Sequence, residues 1–212
     1  AMLDLAHHQV ATPVVLQALA KLMESSLAML EGQYLDLEFE QRLDVTPQEY
    51  QDMISLKTGA LIACSMEMGG LVGSEDPSTV SLFLQSGLHI GQLFQLRDDV
   101  LGIWGDSATT GKPMHSDIHR KKKTFPVVYA FQHATGAGAK TLRRLYQKEQ
   151  LHRDDVRQVV EVLEATGARQ EAHRRASTLA DQALESLRPA ELSARSRRDM
   201  EDLVSFLLYR EQ

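Results

Sequence analysis

Apolar residues recur at intervals of three and four along almost the whole chain, and hardly any segment alternates with a period of two. This spacing is typical of amphipathic helices that bury one face. The pattern therefore predicts an all-α protein. No repeat, linker or low-complexity block divides the sequence, so residues 1–212 are treated as one domain.

Three helix starts are marked by a capping residue followed by proline, and Glu49 completes a capping box at the second of them. The three pairs are Thr12-Pro13, Thr46-Pro47 and Asp76-Pro77. The first pair opens a helix through "VVLQALAKLMESSLAMLEGQYLDLEFE", and the second opens "YQDMISLKTGALIACSMEMGGLVG".

The third helix is predicted to continue for about 25 residues to the region of Ile103, which is longer than the mean globular helix of about 11 to 12 residues. Its Gly87 and Gly91 lie one turn apart on one face. Two glycines at this spacing would let a neighbouring helix approach closely.

The second half of the chain predicts shorter helices. Thr124 is expected to cap "FPVVYAFQHA", and "TGAGAK" is expected to be loosely ordered. Amphipathic stretches follow near 139–149, 153–166 and 168–187. Pro189 interrupts, and a last helix ends in "DMEDLVSFLLYREQ".

Composition is that of an ordinary globular protein, with 43% hydrophobic residues in 212, enough for one sizeable core. The formal net charge of −6 argues against a general nucleic-acid binder.

Cys64 lies in an apolar run and predicts a buried thiol in a reducing cytoplasm. We find no run of about 18 apolar residues and no signal peptide, so neither a membrane span nor export is predicted.

Asp98 and Asp99 are adjacent carboxylates near the end of the long helix, where the helix dipole disfavours each by about 0.3 to 1 kcal/mol. Either both point to water, or a cation compensates them. Mg²⁺ binds through one or two carboxylates plus substrate phosphates, and the basic segment beyond the pair, with Lys112 and Lys122, could hold such phosphates. Spacing alone leaves both readings open, since acidic pairs on solvated helix ends are common.

The surrounding residues resemble the trans-polyprenyl diphosphate synthase family. Three ordered motifs carry the resemblance, which extends over essentially the whole chain. They are "GQYLDL" with Gln33 and Asp36, "KTGAL" with Lys57 and Thr58, and an aspartate-rich region with Phe94-Gln95, Asp98-Asp99, Gly105-Asp106, "TGKP", Asp117 and Lys122-x-Thr124.

The resemblance implies an isoprenoid synthase-type helical bundle with a central cavity, and an enzyme that condenses isopentenyl diphosphate with an allylic diphosphate. Mg²⁺ would be the cofactor, and no protein nucleophile is required. By position, Asp98, Asp99 and Asp106 would be metal ligands. Lys57, Lys112 and Lys122 would bind the allylic diphosphate, and Thr58 and Gln95 would face the developing cation. Gln33 and Asp36 would support the network of metal and diphosphate.

Simpler explanations exist for several of these residues. Lys57 and Thr58 could mark a helix break, Gln95 could be a local partner one turn before the aspartates, and lysines 121 to 123 could form a solvated face.

Departures from the family pattern are also present. The first aspartate-rich motif and the N-terminal helices are expected to be absent, so this chain would be the C-terminal portion of the family's domain. Gly102 stands where a third aspartate is expected, and Asp106, one helical turn beyond, would replace it through water. Lys121 stands in place of a glycine.

Two functional hypotheses follow. In the first, the chain is part of an active polyprenyl diphosphate synthase, as its lysines and Gln95 indicate. In the second, it is a short homologue that serves as the regulatory or small subunit of a partner synthase. The apolar content of "QALAKLMESSLAML" and the family resemblance together predict a homodimer.

Overall fold

The computed structural model describes residues 12–74, 76–105 and 114–210, and all regular structure within those ranges is helical. The all-α prediction is therefore confirmed. The first half of the chain forms α1 (Thr12–Phe39), α2 (Pro47–Ile54), a π-turn (Ser55–Gly59), α3 (Ala60–Gly73) and α4 (Pro77–Trp104). The second half forms α5 (Ser116–His119), α6 (Phe125–His133), α7 (Gly136–Tyr146), α8 (Arg153–Ala165), α9 (Ala168–Ser186) and α10 (Ala194–Tyr209).

The capping residues of α2 and α4 act as predicted. Thr46 Oγ1 accepts from the Glu49 N–H at 3.1 Å, and the Thr46 N–H donates to Glu49 Oε2 at 2.8 Å, which completes the capping box. Asp76 accepts from the N–H groups of Ser78 and Thr79.

Two predictions in the second half are wrong. Thr124 precedes α6, but its buried hydroxyl makes no hydrogen bond, and the Phe125 N–H instead donates to Asp99 Oδ2 on α4 at 3.0 Å. The segment "TGAGAK" is not loose, because α7 already begins at Gly136. Leu142 and Leu145 in α7 are fully buried, so tertiary packing outweighs the poor helix propensity of its glycines.

Helix α4 is the centre of the bundle and packs against α3 on one side and α9 on another. A Cβ on Gly87 would lie 2.7 Å from Ala63 Cα, and one on Gly91 would lie 2.6 Å from Gly59 Cα. The predicted close approach at these glycines is confirmed, and no side chain fits between the two helices there. Cys64 on α3 is buried with 1% exposure, as predicted.

Helix α1 differs from the others because much of its apolar surface is exposed. Its exposed side chains include Leu16, Met23, Leu27, Leu30, Tyr34 and Leu37. An 18-residue window within Pro13–Phe39 has a mean hydropathy of 1.2 and is 6% buried, so this helix is long and apolar enough to cross a membrane by length and composition. The sequence prediction, which found no such run, overlooked this helix. Length and composition are weak evidence of a span, because core helices of soluble proteins pass the same test.

Candidate functional site

The π-turn places two neighbouring polar residues on different partners. A π-turn holds more residues per turn than an α-helix, and such turns are frequent at functional sites. Lys57 Nζ donates to Asp36 Oδ2 on α1, and Thr58 Oγ1 donates to Gln95 Oε1 on α4 at 2.7 Å. Helix α1 can come this close because Gly32 has no side chain. A Cβ at this position would lie 2.2 Å from the backbone nitrogen of Lys57.

Gln95 links the π-turn to the aspartate pair. Its Oε1 accepts from Thr58, and its Nε2 donates to Asp99 Oδ1 at 3.0 Å, one helical turn further along α4. Its amide orientation is therefore fixed by a donor on one side and a carboxylate on the other.

Asp99 is buried, with 1% exposure, and both of its oxygens are engaged. Oδ2 accepts from the Tyr50 hydroxyl at 2.7 Å and from the Phe125 N–H, and Oδ1 lies 3.6 Å from Lys122 Nζ as well as accepting from Gln95. Burial, and next the charge of Asp99, raise the pKa of Tyr50 well above its ordinary value, so the phenol remains a donor. Asp99 thus ties α2, α4 and α6 together.

Lys122 lies between two carboxylates. Its Nζ is 3.6 Å from Asp99 Oδ1 and 4.0 Å from Asp117 Oδ2, and the residue is 9% exposed. Burial lowers the pKa of the ammonium, but Asp99 and Asp117 outweigh burial and hold the pKa above its ordinary value. Lys122 therefore stays charged.

Asp117 fills the space beside Gly102. A Cβ on Gly102 would lie 2.2 Å from Asp117 Oδ2, so the glycine at the expected third aspartate makes room for another carboxylate from α5. Lys121, which stands in place of a glycine, adopts a left-handed φ of 54°. That conformation favours glycine. The Lys121 ammonium donates to the Lys148 carbonyl at 2.7 Å.

Asp98 is half-exposed, unlike its neighbour. The end of the chain returns to this point: Arg210 lies 4.0 Å above the Phe94 ring and donates to the Phe94 carbonyl at 3.1 Å. Burial lowers the pKa of Arg210, and the charge of Asp98 partly offsets that effect.

Seven of the predicted site residues are linked by these contacts or lie beside them: Asp36, Lys57, Thr58, Gln95, Asp98, Asp99 and Lys122. Gln33 is half-buried one turn before Asp36 on α1. Asp106 and Lys112 lie outside the described residues.

Sequence reasoning missed Tyr50 and Arg210, which carry no signal of their own, and gave no role to Asp117 although its motif was recognised. The contact of Asp117 with Gly102 is long-range and invisible in the sequence.

The donor set fits Mg²⁺ only as a shared ion. Within residues 12–74, 76–105 and 114–210, no three His, Cys, Asp or Glu side chains form a metal-binding group. Mg²⁺ does not need such a cage when substrate phosphates supply ligands. Asp98 is the more exposed carboxylate of the pair, and Asp99 accepts from Tyr50, Gln95 and the Phe125 N–H. The arrangement can therefore hold a polyanion on two lysines, beside a carboxylate and the neutral Thr58 and Gln95.

Comparisons with known proteins identify the family of the chain. The sequence model for the family described as polyprenyl synthetase matches residues 2–163. The chain is 34% identical over 217 residues to (2E,6E)-farnesyl diphosphate synthase of Mycobacterium bovis, covering 100% of this chain and 60% of the relative.

Two solved structures have a similar fold. Geranylgeranyl pyrophosphate synthetase from Pyrococcus horikoshii matches with a TM-score of 0.87 and 32% identity, covering 97% of this chain and 62% of that one. Geranylgeranyl pyrophosphate synthase from Corynebacterium glutamicum, in complex with isoprenyl diphosphate and magnesium, matches with a TM-score of 0.81 and 30% identity, covering 91% of this chain and 56% of that one. The chain spans about 60% of the length of the first curated relative. Sequence and fold agree that this chain belongs to the polyprenyl synthetase family.

Proposed function

We propose that this chain is the diphosphate-binding and metal-binding portion of a trans-polyprenyl diphosphate synthase, in which isopentenyl diphosphate is condensed with an allylic diphosphate. The observation that carries the proposal is the linked set of contacts at the end of α4: Thr58 donates to Gln95, and Gln95 donates to Asp99, which faces Lys122. Lys57, paired with Asp36, is next to Thr58, and the half-exposed Asp98 is next to Asp99. Synthase names among the relatives favour this role over that of a regulatory or small subunit.

The two lysines would hold the allylic diphosphate. Each ammonium has three donors, and Lys57 uses one on Asp36, so donors remain for phosphate oxygens. Asp36 orients Lys57, and Asp99 and Asp117 orient Lys122, so both cations are positioned before substrate arrives. Gln33 and Lys112 would extend this binding site.

Mg²⁺, held by Asp98 together with diphosphate oxygens and supported by Asp106, would supply Lewis acidity for the departing diphosphate. Asp99 would keep the helix end and the lysine in place beside it. The Thr58 hydroxyl oxygen and the Gln95 amide would stabilise positive charge on the allylic carbon as the C–O bond breaks. The double bond of isopentenyl diphosphate then attacks that carbon, and a proton is lost.

The whole enzyme would be a cytoplasmic homodimer, with the exposed apolar side chains of α1 as the contact surface. The chain as given is expected to bind the diphosphate but to condense isoprenoid units poorly, because the resemblance implies a second aspartate cluster opposite the first. A single carboxylate site cannot enclose the leaving group from both sides or exclude water.

Calorimetry with inorganic pyrophosphate tests the binding site. With Mg²⁺ present, binding should be at least about tenfold tighter than with EDTA, since metal and lysines share the anion. Lys57→Gln should weaken binding, whereas Lys140→Gln, which changes an exposed lysine on α7, should not. Equal affinity with and without Mg²⁺ would reject the shared-metal site.

A further inference from the structure

A polar cavity of about 350 Å³ lies between α2, α4 and α9. Ligand cavities in proteins usually have volumes of about 300 to 1,000 Å³, so this one suits a compact molecule. Its wall is almost entirely polar, and Leu179 is the apolar exception among the described residues that line it. None of the residues assigned above to the diphosphate site belongs to this wall. A hydrocarbon would be a poor occupant, whereas a small polar molecule would be a good one.

Arg175 on α9 supplies a positioned cation. This half-buried residue donates from Nη2 to Gln51 Oε1 at 2.5 Å, and its guanidinium lies 5.6 Å from the centre of the Phe125 ring. It forms no ion pair with a carboxylate of the described residues. Glu171, one turn earlier on α9, is instead held by Arg174 through two hydrogen bonds of 2.8 and 2.5 Å. The other N–H groups of the Arg175 guanidinium therefore remain for an anion in the cavity.

Gln92 on α4 supplies a buried acceptor. It is 6% exposed, and its Nε2 donates to Ser55 Oγ at 2.8 Å. The Ser55 hydroxyl itself donates to the Gln51 carbonyl at 2.6 Å, so the hydroxyl oxygen must accept from Gln92, and this fixes the orientation of the amide. Gln92 Oε1 accepts from no residue that the structure describes. Because buried amide oxygens normally have a donor, an O–H or N–H group of a ligand would complete this one.

Gln51 joins the cation to the acceptor. Its side chain accepts from Arg175, and its backbone carbonyl accepts from Ser55, which in turn holds Gln92. The two groups are thus fixed relative to each other before a ligand arrives, which lowers the entropy that binding must overcome.

His89 lines the same cavity as a neutral group. Burial lowers the pKa of His89, although a backbone hydrogen bond to Gln182 opposes this effect, so the imidazole is mostly uncharged at neutral pH. No carboxylate lines the cavity among the described residues, and nothing in that wall repels an anion. The charges of Arg174 and Arg175 therefore decide the sign of the ligand.

We propose that this cavity binds a compact oxyanion, with its carboxylate or phosphate group on Arg175 and a hydroxyl group that donates to Gln92 Oε1. The oxyanion would accept from two N–H groups of the guanidinium, a paired geometry that arginine offers and lysine does not. Arg174 adds a second positive charge to the wall while it stays paired with Glu171. A carboxylate and a phosphate ester share this chemistry, so the experiment includes one of each.

Two-dimensional NMR of the chain in EDTA tests the site, with glycerate as the carboxylate probe and glycerol 3-phosphate as the phosphate probe. We expect saturable shifts of the Gln92 side-chain amide and of Arg175, with a Kd of about 1 mM for molecules of this size. Propionate, which lacks the hydroxyl groups of glycerate, should bind about tenfold more weakly, and glycerol, which lacks the charge, should not bind. Saturation by either anion supports the proposal, and the tighter of the two identifies the charged group.

Arg175→Gln should weaken glycerate binding by at least about tenfold, because it removes the charge and the paired donors. Arg195→Gln, which changes an exposed arginine on α10, is the matched control and should bind glycerate as the unchanged chain does. Lys57→Gln should also bind it normally, since Lys57 belongs to the diphosphate site.

The proposal is overturned if neither anion shifts the Gln92 amide of the unchanged chain at concentrations up to about 50 mM. It is also overturned if propionate binds as tightly as glycerate, or if Arg175→Gln, shown to be folded by circular dichroism, keeps the original affinity. A loss of glycerate binding in Lys57→Gln would place the anion at the diphosphate site and would equally reject the cavity. Failure of inorganic pyrophosphate to bind would instead contradict the proposed function alone.

Discussion

Asp98 and Asp99 are adjacent in sequence, but their surroundings give them different roles. Asp99 accepts from Tyr50, Gln95 and the Phe125 N–H, while Asp98 stays half-exposed. A buried carboxylate with this many donors holds helices together, and only an accessible one can exchange water for a metal ion.

Asp99→Asn should destabilise the protein by about 3 kcal/mol, because it removes the charge that Lys122 faces in a buried setting. Asp98→Asn should lower stability much less, because Asp98 is half-exposed and water can solvate the replaced group. Urea denaturation of both variants measures this difference. Asp98→Asn should nevertheless lose the Mg²⁺ dependence of pyrophosphate binding, and equal stability losses in the two variants would contradict the division of roles.

Gly102 gives a second prediction at the residue scale. Gly102→Ala should lower the free energy of unfolding by about 1 to 3 kcal/mol, because its Cβ would meet Asp117 Oδ2 at 2.2 Å. Gly69→Ala on α3 is the matched control, since nothing lies within 4 Å of the added Cβ, and it should stabilise by about 0.5 to 1 kcal/mol. Thermal denaturation compares the two. A stabilised Gly102→Ala would show that Asp117 moves aside freely.

At the scale of elements, the periodic pattern predicted the long helices well, because each buries one face and begins at a recognisable cap. It could not predict the π-turn, since a single irregular turn of five residues is too short to be recognised in spacings of three and four. The failed cap at Thr124 has a similar cause: the donor of α6 is satisfied by Asp99, which is distant in sequence. Site residues were found through their motifs, whereas Tyr50 contributes only through tertiary contact.

The π-turn also depends on the close approach of α1. Gly32→Ala should push α1 away from Lys57, because the new Cβ would lie 2.2 Å from a backbone nitrogen that cannot rotate aside. We expect a loss of about 2 to 3 kcal/mol in stability. Calorimetry should also show weaker pyrophosphate binding, since Lys57 and Asp36 separate. Gly73→Ala, which meets nothing within 4 Å, is the control and should lower neither stability nor pyrophosphate affinity.

At the scale of the whole molecule, α1 carries most of the exposed large apolar side chains among the described residues. Met23 and Leu27 are 73% and 68% exposed. If this surface is the proposed dimer contact, sedimentation velocity at micromolar concentration should show a dimer, and Met23→Glu with Leu27→Glu should give a monomer. Phe206→Glu on α10 is a matched control, because Phe206 is 65% exposed but lies elsewhere. A monomeric unchanged chain would count against the dimer.

The bundle is unevenly compressible, because the glycine contacts between α3 and α4 leave no space while a cavity of about 560 Å³ beside Lys21 and Glu67 is open. Hydrostatic pressure favours states in which internal voids are eliminated. High-pressure NMR should therefore detect changes first around Leu71, Val80 and Leu84, while Gly87 and Gly91 keep their chemical shifts to higher pressure. Under compression the bundle would stay rigid at the α3–α4 contact near the aspartate pair and lose volume around this cavity.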